Sequence, residues 1–85
     1  MPSTKVEVLM NGEPVVGATV LIGEIGGLEK TTDEGGKVSL PNIETSYAGY
    51  TEALITMGGV DLSARITIKY GETTTIELGN LGEQE

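Results

Sequence analysis

Apolar and polar residues alternate along most of this chain with the two-residue period of half-buried strands. Lys5–Met10 places Val6, Val8 and Met10 on one side, and Val15–Ile22 places Ala18, Val20 and Ile22 on one side. Leu28–Thr32 and Lys37–Leu40 read as shorter strands, and Tyr50–Met57 as a longer one. The clearest alternation runs from Val60 to Tyr70, where Val60, Leu62, Ala64, Ile66, Ile68 and Tyr70 are separated by Asp61, Ser63, Arg65, Thr67 and Lys69. A last strand, Thr73–Leu78, would turn Thr74, Ile76 and Leu78 to the core.

Turn residues fall between these runs. Gly12 and Pro14 close a first turn, Asp33-Glu34-Gly35-Gly36 reverses the chain, Gly58-Gly59 turns the fifth strand, and Gly71-Glu72 reads as a tight hairpin. Glycine supplies the positive φ that such reversals need. Pro41 and Asn42 break the fourth strand. No stretch has apolar spacing for a helix of three turns, although a short helix fits near Glu44–Ala48. Seven short strands at regular spacing predict an all-β sandwich rather than βαβ units. Residues 1–78 form the single domain, and 79–85, GNLGEQE, read as a tail or linker.

Composition then restricts the chemistry. Among 85 residues there is no Cys, Trp, Phe or His, so the core must be built from aliphatic side chains. A domain this small lies near the lower size limit for a self-sufficient core. The net charge of −8 repels phosphate backbones and anionic lipid, which argues against nucleic acid and bare membrane as partners. The same acidity also serves solubility. Residues 1–10 lack the apolar stretch of a signal peptide, and no apolar run reaches transmembrane length. Met1-Pro2-Ser3 reads either as an appended start or as a native cytosolic one.

Without histidine or cysteine, no Ser-His pair or thiol nucleophile can form. Neither the phosphate-binding loop pattern nor the dinucleotide glycine fingerprint is present, since Lys30 follows Glu29 and Lys37 precedes Val38. The chain therefore reads as a non-enzyme. Asp33-Glu34-Gly35-Gly36 lacks the ligand spacing of a calcium loop; Asp33 is expected instead to accept a hydrogen bond from the backbone two residues on. No position supplies a metal or cofactor ligand set.

The run G-x-P-V-x-G-A-x-V-x-I from Gly12 to Ile22, followed by T-D-E-x-G-x-V-x-L-x-N-I from Thr32 to Ile43, resembles the carboxypeptidase regulatory-like domains. These belong to the transthyretin-like (prealbumin-like) β-sandwiches, and weaker matches continue to the last strands. The usual Gly-x-Tyr approach to the fifth strand is here Ser46-Tyr47-Ala48-Gly49-Tyr50. The resemblance implies a seven-stranded Greek-key sandwich acting as a non-enzymatic accessory module of a larger surface or secreted protein. It would be a monomer that packs on a neighbouring domain or protein partner. A carbohydrate-binding domain is the alternative. The hydroxyisourate hydrolases of the same superfamily need histidines and a Tyr-Arg-Gly-Ser tail, both absent here.

Related pilin-type domains join a first-strand lysine to a last-strand asparagine beside a buried acid. The corresponding Lys5, Asn80 and Glu52 are expected to face solvent, without a crosslink. Of the three tyrosines, Tyr70 ends an inward series, Tyr50 is a packing residue by family precedent, and Tyr47 in a polar loop is the one free to stack on a ligand. The expected recognition surface is the sandwich end formed by Gly23–Gly27, Pro41–Gly49 and Gly71-Glu72, carrying Glu24, Glu44, Tyr47 and Glu72.

Overall fold

The computed structural model describes residues 4–23, 28–40 and 48–81. Strands β1 (Thr4–Met10), β2 (Glu13–Pro14), β3 (Thr19–Ile22), β4 (Leu28–Thr31), β5 (Lys37–Leu40), β6 (Ala48–Met57), β7 (Val60–Lys69) and β8 (Thr73–Glu77) precede one helical turn, α1 (Leu78–Leu81). They make two four-stranded sheets. In the first, β1 is central: β5 and β2 follow one another along one edge, and β8 pairs with the other. The second has the order β4-β3-β6-β7. The fold is all-β, and the two sheets share one core.

That core is aliphatic, as the composition requires. Val6 and Val8 of β1, Val20 and Ile22 of β3, Val38 and Leu40 of β5, Ala53 and Ile55 of β6, Ile66 and Ile68 of β7 and Ile76 of β8 form a single buried cluster with Ala18 and Leu78. Alternation along each strand puts these residues on inner faces and their neighbours outside. The β7 alternation holds only at its C-terminal half. Ile66 and Ile68 are buried, whereas Leu62 and Ala64 are half-buried and Val60 is 54% exposed. The β6–β7 ladder, ten paired residues long, outruns the four-residue strands β3 and β4 beside it.

Three expectations are corrected. The second strand does not begin at Val15. Val15 N–H still donates to the Val8 carbonyl (3.0 Å), but Gly17 has φ 80° and Val16 is exposed, so the strand is interrupted there. The buried Thr32 holds the interruption: its hydroxyl donates to the Val15 carbonyl (2.7 Å) and accepts from the Ala18 N–H (3.0 Å). β2 is thus an additional two-residue strand, closing a hairpin on β1 through Asn11 and Gly12, with φ 54° and 84°.

Gly71-Glu72, secondly, is not the turn of a β7–β8 hairpin. Lys5 N–H donates to the Glu72 carbonyl at 3.1 Å, and β8 then runs parallel to β1, with Lys5 beside Thr73 and Leu9 beside Glu77. The turn is a corner that carries the chain from one sheet to the other. The Thr74 hydroxyl reaches back, donating to the Thr67 carbonyl at 2.7 Å. Ile76 and Leu78 face the core as expected, and Thr74 is half-buried.

Thirdly, Tyr50 is not a packing residue; it is 75% exposed on the outer side of β6. The other reversals form as the sequence predicts. Met57 pairs with Val60 across Gly58-Gly59, both at positive φ. Asp33 Oδ1 accepts from Gly35 N–H (2.9 Å) and Lys37 N–H (3.0 Å). The short helix expected near 44–48 falls outside the described residues apart from Ala48, which opens β6.

Candidate functional site

Glu24, Glu44 and Tyr47 lie outside the described residues. Glu72 is described: it is exposed at the sheet-to-sheet corner, its carboxylate 3.8 Å from Lys69 Nζ. Thr4 pairs with Leu40 at the end of β5, and its hydroxyl accepts from Gly71 N–H at 2.8 Å.

A second surface is built from the outer face of β3, β6 and β7. On β6, Thr51, Ala53 and Ile55 turn inward, so Tyr50, Glu52, Leu54 and Thr56 turn outward. Register then fixes their neighbours. Leu54 lies between Leu21 and Ser63, Glu52 lies opposite Arg65, and Tyr50 lies opposite Thr67. Two shallow depressions mark this face. One, of about 310 Å³, is lined by Tyr50, Thr51, Glu52 and Arg65; the other, of about 250 Å³, by Leu21, Gly23, Glu52, Ala53, Leu54 and Ser63. Glu52 borders both.

Directly opposed residues on an antiparallel pair have Cβ atoms about 4.5–5.5 Å apart, yet Glu52 and Arg65 form no ion pair among the described residues, where Lys69–Glu72 is the pair present. At the far end of the face Thr56 donates to Asp61 at 3.0 Å; between there and Lys69 the outward groups are open to solvent. An exposed ring, a half-exposed Leu54 (37%), a carboxylate and a guanidinium thus stand side by side. This combination offers apolar contact area with hydrogen-bonding groups at its margin.

The outer face of the first sheet is different. Glu7 accepts from the Thr75 hydroxyl at 3.0 Å. Glu77 accepts from three backbone N–H groups: Asn11 at 2.6 Å, Gly12 at 2.9 Å and Gly79 at 2.9 Å. The bonds from Gly79 and Asn11, with a smaller contribution from Gly12, hold the Glu77 carboxyl below its ordinary range. Asp33 is lowered likewise, by the Lys37 and Gly35 N–H groups. Each carboxylate is satisfied by backbone donors, and no group of three metal-ligating side chains occurs among the described residues. Lys5 and Glu52 stand on outer faces of different sheets, on opposite sides of the sandwich.

Sequence reasoning missed Tyr50, Leu54 and Arg65 as surface partners. One signal pointed to them. Glu52 is in phase with Tyr50 and Leu54, and an unpaired carboxylate does not go to an aliphatic core; that fixes the outward phase of β6. No family model, no curated protein and no solved structure matches the chain.

Proposed function

We propose that this chain is a non-enzymatic accessory module of the carboxypeptidase regulatory-like, transthyretin-like kind, and that it docks through the outer face of the four-stranded sheet. The observation that carries the reading is Tyr50, 75% exposed beside Leu54 and an unpaired Glu52 and Arg65. Aromatic and arginine side chains on a rigid strand supply contact area at small entropic cost. Catalysis has little to work with, since the chain has no histidine or cysteine. The seven-stranded Greek-key description rests on the sequence pattern from Gly12 to Ile43. The partner is a neighbouring domain or protein of a surface or secreted assembly, engaging the face with its own apolar and charged groups.

Carbohydrate binding is the second reading, favoured by the same ring. A pyranose could stack on Tyr50 and bond to Glu52 and Arg65. One ring is few for such a site, which places it second. Amide NMR separates the readings. The domain is compared alone, joined to the domain adjoining it in its natural reading frame, and titrated with defined oligosaccharides. Shifts at Leu21, Tyr50, Leu54 and Arg65 on joining support docking. The same shifts with sugar alone favour the second reading. Changes confined to the corner at Glu72 return the site to the sandwich end.

A further inference from the structure

Asn11 and Gly12 occupy the tip of the β1–β2 hairpin, both exposed and both at positive φ. Asn-Gly is favoured in two-residue hairpins because it accepts that geometry. It is also the dipeptide in which an asparagine amide is most readily lost, because glycine puts no side chain in the way of ring closure. Here, however, the reacting nitrogen is engaged. Gly12 N–H donates to Glu77 Oε1 at 2.9 Å, and Asn11 N–H donates to Glu77 Oε2 at 2.6 Å. The asparagine head packs against Gly79, where an added Cβ would collide with Asn11 Oδ1 and come within 3.0 Å of Glu77 Oε2. Two separate segments of backbone, the hairpin tip and Gly79, thus converge on one carboxylate and one amide.

We propose that the Asn11–Gly12 peptide is a modification site, a deamidation switch held closed by the Glu77 carboxylate and opened irreversibly once the amide is lost. In the reaction, solvent base removes the Gly12 amide proton and the nitrogen attacks Asn11 Cγ. The N–Cγ bond forms, the Cγ–Nδ2 bond breaks, and Nδ2 leaves as ammonia after taking a proton from solvent. Water then opens the cyclic imide at one carbonyl or the other, leaving aspartate or isoaspartate at position 11. No oxidant or reductant is needed.

Glu77 opposes the first step twice. A hydrogen bond to a carboxylate stabilises the protonated amide, and it ties the nitrogen away from the Asn11 side chain. After reaction the situation reverses. Aspartate at 11 places a second negative charge beside Glu77, and isoaspartate lengthens the backbone of a tip whose N–H groups must both reach one carboxylate. Either product weakens the attachment of the β1–β2 hairpin to Glu77 and Gly79 at the end of β8. The hairpin tip and the β8 end then separate.

The test incubates wild type, Glu77→Gln and, as a control for charge, Glu7→Gln in mildly alkaline buffer, with and without urea. Peptide mapping by mass spectrometry follows conversion at residue 11. Glu77→Gln is expected to convert several-fold faster than the other two in buffer, and all three at one common fast rate in urea. Equal rates for the three in buffer overturn the proposal. If Glu77→Gln loses its native amide spectrum, Asn11→Asp decides. It should melt below wild type, by a margin that shrinks as the pH is lowered and the new carboxylate is protonated. An unchanged melting temperature overturns the switch.

Discussion

The two sheets spend their polar side chains differently. On the first sheet and in the segments that join the two sheets, Thr4, Glu7, Thr32, Asp33 and Glu77 all bond to other parts of the chain, tying segments as far apart as Asn11 and Glu77. On the outer face of the second, the long β6–β7 ladder supplies order chiefly through its backbone bonds, and Tyr50, Glu52, Leu54, Ser63 and Arg65 stand exposed. The difference follows from geometry. The first sheet must accept a parallel strand from a corner, the irregular segment at 15–18 must carry the chain across to the second, and each irregularity leaves backbone groups that side chains have to satisfy. A regular ten-residue hairpin leaves none, so its outward side chains are free for a partner.

The largest effect is expected where the first sheet is tightest. Gly36 has φ 75°, and a Cβ there would lie 2.7 Å from the Val8 carbonyl oxygen and 3.0 Å from Pro14 Cβ. Gly36→Val should cost upward of ~3 kcal/mol, combining left-handed strain with a backbone clash. Glu34→Ala, two positions away in the same turn and exposed, should stay within ~0.5 kcal/mol. Urea unfolding of the two variants checks this, and equal midpoints would remove the distinction.

Next comes Thr32→Val. The substitution keeps the shape and deletes the hydroxyl that serves both Val15 and Ala18, leaving a buried donor and acceptor unmatched at a cost of about 1–3 kcal/mol. A loss well below that would mean the 15–18 segment finds other partners.

Acid should act on the first sheet. Glu77 and Asp33 have carboxyl pKa values lowered on folding. Their contribution is therefore fully present above the unfolded carboxylate range and lost as pH falls through the lowered folded values. A melting-temperature profile should decline over that interval in wild type and more shallowly in Glu77→Gln. Parallel profiles would show that the three N–H bonds to Glu77 contribute nothing in solution.

What the sequence revealed and what it hid divide along similar lines. Turns were legible because their chemistry is local: Gly36, Gly58 and Gly59 sit where positive φ is needed, and Asp33 accepts from the backbone of its own turn. The partner of β8 was not, because the alternation of Thr74, Ile76 and Leu78 is the same whether the strand pairs with β7 or with β1. The parallel ladder with β1, led in by the bond from Lys5 N–H to the Glu72 carbonyl, decides it. Residues 15–18 read as strand from Val15, Val16 and Ala18, and the glycine at 17 that breaks the strand was outweighed by its apolar neighbours. On β6 both phases carry apolar residues, Tyr50 and Leu54 against Ala53 and Ile55. Pairing of Val20 with Ile55 and of Ile22 with Ala53 settles which phase goes in, and with it the position of the candidate site.

The smallest change in stability is expected from Tyr50→Ala combined with Leu54→Ser, and this double variant tests the central claim most directly. Its urea midpoint should lie close to that of the wild type, within the range of surface substitutions at about 0.5 kcal/mol each. In the same preparation, the amide shifts along β3, β6 and β7 expected from the proposed docking to a neighbouring domain should be absent. A midpoint lowered as far as that of Thr32→Val would show that these side chains serve the fold. Docking shifts that persist unchanged would show that the partner binds elsewhere.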